Sequence, residues 1–168
     1  MKINNIMDKS NFQKILDFNK SFGVTTHTTP QYNIYDADPK LVKYRLDLIE
    51  EEVAELKESI VNKDFTETAD AIGDILYVVL GCATAFGIDA DKIFDIVHRS
   101  NMSKLCKDEE EAIQTVKSYE NDDRYDSPSY RLSDDGEHYI VYNKSTKKIL
   151  KSINYTPVNF DGLFTVPN

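Results

Sequence analysis

Glu67-Thr68-Ala69-Asp70-Ala71-Ile72-Gly73-Asp74-Ile75-Leu76-Tyr77-Val78-Val79-Leu80 is the stretch on which the reading of this chain turns. At about 100° per residue, Glu67, Asp70 and Asp74 fall within roughly a 60° arc of one helix. The same arc continues as Tyr77, Val78 and Gly81, while Ile72, Ile75, Leu76, Val79, Leu80 and Ala83 fill the other directions. From Ile75 onward the helix is apolar nearly all round, the pattern of a central core helix. Asp74 is therefore expected to enter a buried segment, where a carboxylate is costly unless it is paired or neutralised. The bases considered as partners, Lys57 and Lys63, sit near the turn before this helix, so a metal ion is the simplest counter-charge.

Working outward, the preceding segment from Lys40 has a stripe of Val42, Leu46, Ile49, Val53, Leu56 and Ile60, again at helical spacing. Asn62-Lys63-Asp64 is a break short enough to make the two helices an antiparallel hairpin. On the first of them lies Glu50-Glu51-Glu52-Val53-Ala54-Glu55. The apolar stripe is centred opposite Glu51, Glu52 lies at its margin, and Leu41 and Leu48 fall between Glu52 and Glu55 in angle. Alone, such a run reads as a solvated surface of good helix formers. Beside the acids of the next helix, it supplies the oxygen ligands that a hard cation such as Mg²⁺ needs to hold a phosphate chain.

The flanks complete a helical domain. Phe12, Ile15, Leu16, Phe18 and Phe22 predict a first helix over Asn11 to Phe22, capped by Ser10 and ended by Gly23. Val24 to Pro39 reads as a loop or extended arm. Asp64 or Thr66 caps the central helix, which runs to about Phe86 before Gly87, and Asp89 caps a further helix from Ala90 to about Leu105. Asp108 to Tyr119 predicts a more polar helix. Glu120 to Asp135 is acidic with little periodicity, and His138 to Tyr142 with Lys147 to Ile153 reads as a β-hairpin around Asn143-Lys144-Ser145-Thr146. The fold class expected is all-α, a bundle of about four to five helices with a small C-terminal β-hairpin appendage. Residues 1–118 form the helical domain and 119–168 the extension.

Composition removes several functions. The 168 residues suffice for one domain with a core. A composition 40% hydrophobic and 29% charged is that of a globular chain. A net charge of −9 argues against nucleic acid or anionic membrane as a partner of a basic surface. The longest uninterrupted apolar run, Ile75 to Leu80, is far short of a membrane span. Met1 to Asn5 has no apolar signal core, and Cys82 and Cys106 read as reduced, buried thiols. A cytoplasmic protein is expected.

His98-Arg99-Ser100-Asn101-Met102-Ser103-Lys104 supplies positive charge and donors in this acidic chain. His98, Asn101 and Lys104 recur every three residues and share one side. The segment is either a basic helix end that complements the macrodipole or, beside a carboxylate site, a phosphate clamp.

Glu51-Glu52-Val53-Ala54-Glu55 resembles the EExxE motif of the all-α nucleoside triphosphate pyrophosphohydrolases, the superfamily of MazG-like and phosphoribosyl-ATP pyrophosphohydrolase-like proteins. Asp70 to Tyr77 resembles its second acidic motif, and Val97 to Lys104 its asparagine–lysine motif. Phe18 to Gly23 resembles part of its first helix. The second motif is usually ExxD. Glu67 to Asp70 fits those letters, whereas Asp70 to Asp74 fits the apolar context, with Ala71 where the glutamate usually stands.

The resemblance implies hydrolysis of a (deoxy)nucleoside triphosphate to monophosphate and pyrophosphate, in nucleotide-pool housecleaning. Glu52, Glu55, Asp70 and Asp74 would hold Mg²⁺ (or Mn²⁺), with Glu51 orienting the attacking water or serving a second ion. As a catalytic set it implies Glu51, Glu52 and Glu55, and His98, Arg99, Asn101 and Lys104 would bind substrate. It further implies a homodimer or homotetramer. The alternatives are phosphoribosyl-ATP hydrolysis in histidine biosynthesis and a non-catalytic oligomerising helical module. A di-iron carboxylate bundle would need ExxH on two helices, and Asp95-Ile96-Val97-His98 is a single, imperfect match.

Overall fold

A computed structural model describes residues 9–164; the Met1–Asn5 stretch considered above lies outside them. The helices are α1 (Asn11–Ser21), α2 (Ile34–Ala37), α3 (Pro39–Asn62), α4 (Phe65–Phe86), α5 (Ala90–Met102) and α6 (Glu109–Tyr119), followed by strands β1 (Pro128–Leu132) and β2 (Tyr139–Asn143). The fold is mostly α with a small antiparallel hairpin. The described residues form two compact units, one up to Ile93 with residues 162–164, the other Phe94–Asp161.

In the first unit α4 is central, with α3 packed along one side and α1 along another. The helix ends are written in the sequence. Ser10 accepts from the Gln13 N–H, Asp38 from Leu41, and Asp64 from both Thr66 and Glu67, each quenching amides that a helix start leaves unpaired. Lys63 ends α3 at φ 56°, a left-handed turn that reverses the chain into α4. At the far end, Gly87 has φ 69°, and a Cβ there would lie 1.9 Å from the Thr29 carbonyl oxygen. Only glycine fits this turn.

The arm after α1 is more structured than its composition predicts. Its His27 N–H donates to the Thr84 carbonyl (2.9 Å) and its Gln31 N–H to that of Phe86 (2.9 Å). It thereby covers the Phe86 carbonyl at the end of α4 and adds a second, shorter bond to that of Thr84, which the Gly87 N–H reaches at 3.3 Å. The arm then forms the short α2.

Two expectations about α4 are corrected. Asp74 is exposed, as are Glu67 and Asp70, and so are Ile72, Leu76 and Val79. Two neighbouring helices cover only part of an apolar cylinder, so a helix apolar all round still meets solvent within one protomer. Second, although no uninterrupted apolar run is long, α4 as a whole is long and apolar enough to cross a membrane by length and composition, with a mean hydropathy of 1.5 over its best window. Gly73, Asp74, Gly81 and Thr84 break the run without lowering the average much.

The second unit has its core at Cys106, Ala112, Val141 and Leu150, packed by Val116, Tyr119, Tyr125, Tyr130 and Tyr139. α5 ends at Met102, not near Leu105. The Ser103 amide still bonds four residues back to Arg99 (3.0 Å), but those of Lys104 and Leu105 bond three back, to Asn101 (3.2 Å) and Met102 (3.0 Å), and Cys106 then pairs with Tyr139. The hairpin differs from the one expected. β2 agrees within a residue, but its partner is β1, in register Pro128↔Asn143 to Leu132↔Tyr139, from a segment read as irregular. Only alternate positions of a strand need an apolar residue, and Pro-Ser-Tyr-Arg-Leu is half-buried at its first three positions and exposed at the last two, too weak an alternation to read. Residues 147–153 run beside β2 without forming a strand: the Asn143 N–H donates to the Lys148 carbonyl (2.9 Å), Tyr142 and Ile149 form an isolated bridge, and the Leu150 N–H donates to the Val141 carbonyl (2.8 Å), with Lys147 turning the chain at φ 59°.

One amide organises this unit. Asn143, 1% exposed, accepts from the Ser127 N–H (2.9 Å) and donates to Asp126 (3.1 Å), Ser145 (2.9 Å) and Thr146 (3.1 Å).

Candidate carboxylate site and family membership

The α3–α4 seam is fixed at two anchors. Near the turn, Thr68 Oγ1 donates to Ser59 Oγ at 3.1 Å. Toward the other end, Arg45 lies against Gly81, its Nη1 3.2 Å from where a Cβ would stand. Glu52 is seven residues from each anchor on α3, and Asp74 is six and seven from them on α4. In an antiparallel pair this sets the two carboxylates level with one another, midway along the seam.

The electrostatics agree with that register. Partial burial pushes the Glu52 carboxyl above the ordinary glutamate range, and the charges of Glu55, Asp74, Glu51 and Asp70, in that order, push it further. Five carboxylates therefore share one neighbourhood, and among the described residues none forms an ion pair. Like charges brought together raise one another's proton affinity. Oxygen donors without a basic partner have the chemistry of a hard divalent cation site, and a cation would have to draw them together, since no three of the five bring oxygens within 4.8 Å of one another. Glu67 lines a groove of about 400 Å³ at the hairpin turn with Glu58, Ser59, Asn62, Asp64 and Glu55, the last of which also belongs to the group around Glu52.

Asn101 and Lys104 belong to the second unit, where Lys104 Nζ donates to Asn101 Oδ1 at 2.7 Å. Lys104 lies just past the helix end, yet the pair holds together. The exposed His98 ring stacks on Phe94 (6.4 Å, 4° between planes), and Arg99 lines a groove with Ile96, Ser100, Ser103 and the segment from Thr156 to Asn159. That segment straps α5. Ser100 Oγ donates to the Thr156 carbonyl (2.9 Å) and bonds the Tyr155 hydroxyl (3.0 Å), and the Thr156 N–H donates to Ser103 Oγ (2.9 Å).

Residues 15–101 match the family of phosphoribosyl-ATP pyrophosphohydrolases. The chain belongs to that family. Phosphoribosyl-ATP pyrophosphohydrolases fall within the MazG-like all-α superfamily, and membership makes this chain a pyrophosphohydrolase by class. The match contains α3, α4 and the five clustered acids, and it ends at Asn101. A protein of Acanthamoeba polyphaga mimivirus described as "Uncharacterized protein L479" is 30% identical over 92% of this chain and 95% of its own length. That likeness extends past residue 101 into the C-terminal extension.

Sequence reasoning overlooked Arg45. It is 5% exposed, with Nε and Nη2 buried and unpartnered among the described residues. Its spacing from Glu52, two heptad-like turns along the same face of α3, was the available signal, but an arginine beside apolar residues reads as a surface residue.

Proposed function

We propose that this family member is a Mg²⁺-dependent nucleoside triphosphate pyrophosphohydrolase, cleaving a (deoxy)nucleoside triphosphate to the monophosphate and pyrophosphate as a housecleaning activity on the nucleotide pool. The observation that carries the reading is the ring of Glu51, Glu52, Glu55, Asp70 and Asp74 gathered around one carboxyl with a raised proton affinity. Glu52, Glu55, Asp70 and Asp74 would hold the cation, Mg²⁺ or Mn²⁺, which neutralises charge on the phosphate oxygens when bound. Glu51, at the edge of the ring, orients the attacking water and accepts its proton. Asn101 and Lys104, with His98 and Arg99, are proposed as donors to phosphate oxygens on their chemistry.

The exposed apolar side of α3 and α4 supports a homodimer or homotetramer, since a patch of this kind marks an interaction surface. The net charge of −9 argues against a basic surface that would take nucleic acid or an anionic membrane, and a cytoplasmic enzyme is proposed with it.

The test is a phosphate-release screen over the ribo- and deoxynucleoside triphosphates and phosphoribosyl-ATP, with Mg²⁺ and a coupled pyrophosphatase. Turnover of a nucleoside triphosphate is expected, lost in Glu55→Ala and Asp74→Ala proteins that fold normally. Turnover of phosphoribosyl-ATP alone would transfer the chain to histidine biosynthesis. No turnover of any compound would leave only the helical module.

A further inference from the structure

Phe18, Phe22 and Tyr77 form an aromatic cluster in the first unit, its tyrosine three residues after Asp74 on α4. Phe18 stacks on Phe22 (centroids 4.4 Å apart) and meets Tyr77 edge-on (5.4 Å). All three rings face water, with 40%, 70% and 40% of their residues' surface exposed. The arrangement is held firmly. Asn19, between the two phenylalanines, is buried and donates to the buried Thr84 hydroxyl at 2.8 Å, which ties α1 to α4.

Tyr77 follows Asp74 by three residues, so its ring leaves the same side of α4 one turn further on. A rigid ledge of aromatic rings next to a ring of carboxylates matches a ligand with a flat apolar part joined to an anionic part through a short spacer. In a nucleotide a single sugar separates phosphate from base, comparable to one helical turn of about 5.4 Å.

We propose that Phe18, Phe22 and Tyr77 are the stacking platform for the substrate's nucleobase. The assignment rests on the nucleotide reading of the acid ring and adds to it. Every base has a π-face, so stacking on such a ledge binds nucleotides as a class and discriminates weakly among bases. The ledge therefore predicts a broad base preference. The competing occupant is a second copy of the chain.

The test is calorimetric titration, in Mg²⁺, of deoxynucleoside monophosphates and of inorganic triphosphate, which has no base. Phe22→Leu and Tyr77→Leu keep the surface apolar and remove a ring, and Tyr77→Phe keeps the ring. The leucine variants are expected to weaken nucleotide binding by about tenfold or more and to leave inorganic triphosphate unchanged, with Tyr77→Phe like wild type. Equal weakening of both ligands, or unchanged nucleotide affinity, would overturn the assignment. So would a fall in oligomer mass by sedimentation that accounts for the lost affinity, or a wild type that binds triphosphate and no nucleotide. Ring-dependent nucleotide binding without any hydrolysis would support the ledge and overturn the hydrolase reading.

Discussion

Arg45 Nη1 stands 3.2 Å from the point where a side chain on Gly81 would begin, so one residue's missing carbon makes room for the other's charge. Gly81 costs helix α4 about 1 kcal/mol relative to alanine, and Arg45 is buried with no ion pair among the described residues. Replacing Arg45 with methionine is expected to leave the fold intact and to stabilise it by about 1 to 3 kcal/mol. Gly81→Ala should then be stabilising in the Arg45→Met background and less so, or destabilising, in the wild type. Urea unfolding of the four proteins measures that coupling, and additive effects would show that the two residues do not compete for the space.

Metal binding should be visible without turnover. A carboxyl with raised folded-state affinity binds its proton more tightly folded than unfolded, so in the interval above the ordinary glutamate range apo stability falls as pH rises. Mg²⁺ should reverse this on the alkaline side, by about 2.7 kcal/mol when present at a hundred times its dissociation constant, and should do little on the acid side. Glu52→Gln is expected to raise apo stability and abolish the Mg²⁺ effect. Calorimetric melts on both sides of that interval, with and without Mg²⁺, check both parts.

Gly87→Ala should be among the most damaging single substitutions. Its φ of 69° and the 1.9 Å approach to the Thr29 carbonyl mean that a methyl group there displaces the arm covering the end of α4. A loss of about 3 kcal/mol or more is expected, read as a lowered urea midpoint. A near-normal midpoint would mean that the arm does not hold its place.

The strap on α5 predicts a split between two readouts. Ser100→Ala and Ser103→Ala together remove the side-chain bonds to Tyr155 and Thr156 while leaving Asn101 and Lys104 in place. Hydrogen exchange at residues 154–159 should accelerate, and KM for the nucleotide should rise more than kcat falls. Faster exchange with unchanged kinetics would confine the strap to stability.

Much of the first unit was legible because its signals are local. Ser10 and Asp64 mark helix starts, the Asn62-Lys63-Asp64 break and Gly87 mark ends, and the acids recur at helical spacing, whereas the cap at Asp38 lies within a segment that reads as a loop. What the periodicity of α4 could not convey is how much of its surface one protomer covers, because an all-apolar helix looks the same whether its neighbours belong to its own chain or not. Arg45 and the aromatic ledge escaped for a related reason, since their meaning depends on what lies opposite in space. In the second unit the partner of β2 was misread because pairing through the backbone leaves little trace in Pro128–Leu132.

Asn143 has a further consequence for those residues beyond the family match. Its bonds to Ser127 and Asp126 depend on Pro128 standing opposite Asn143, whereas Ser145 and Thr146 follow it in the same turn. A slip of one residue between β1 and β2 would carry this amide out of reach of Ser127 and Asp126 and leave it bonded only within its own turn, at a cost of about 1 to 3 kcal/mol per unmet group. Val141, Tyr130 and Tyr139 pack into the core in this alignment, so the buried amide and the apolar side chains penalise the same wrong pairing, one through lost bonds and the other through exposure.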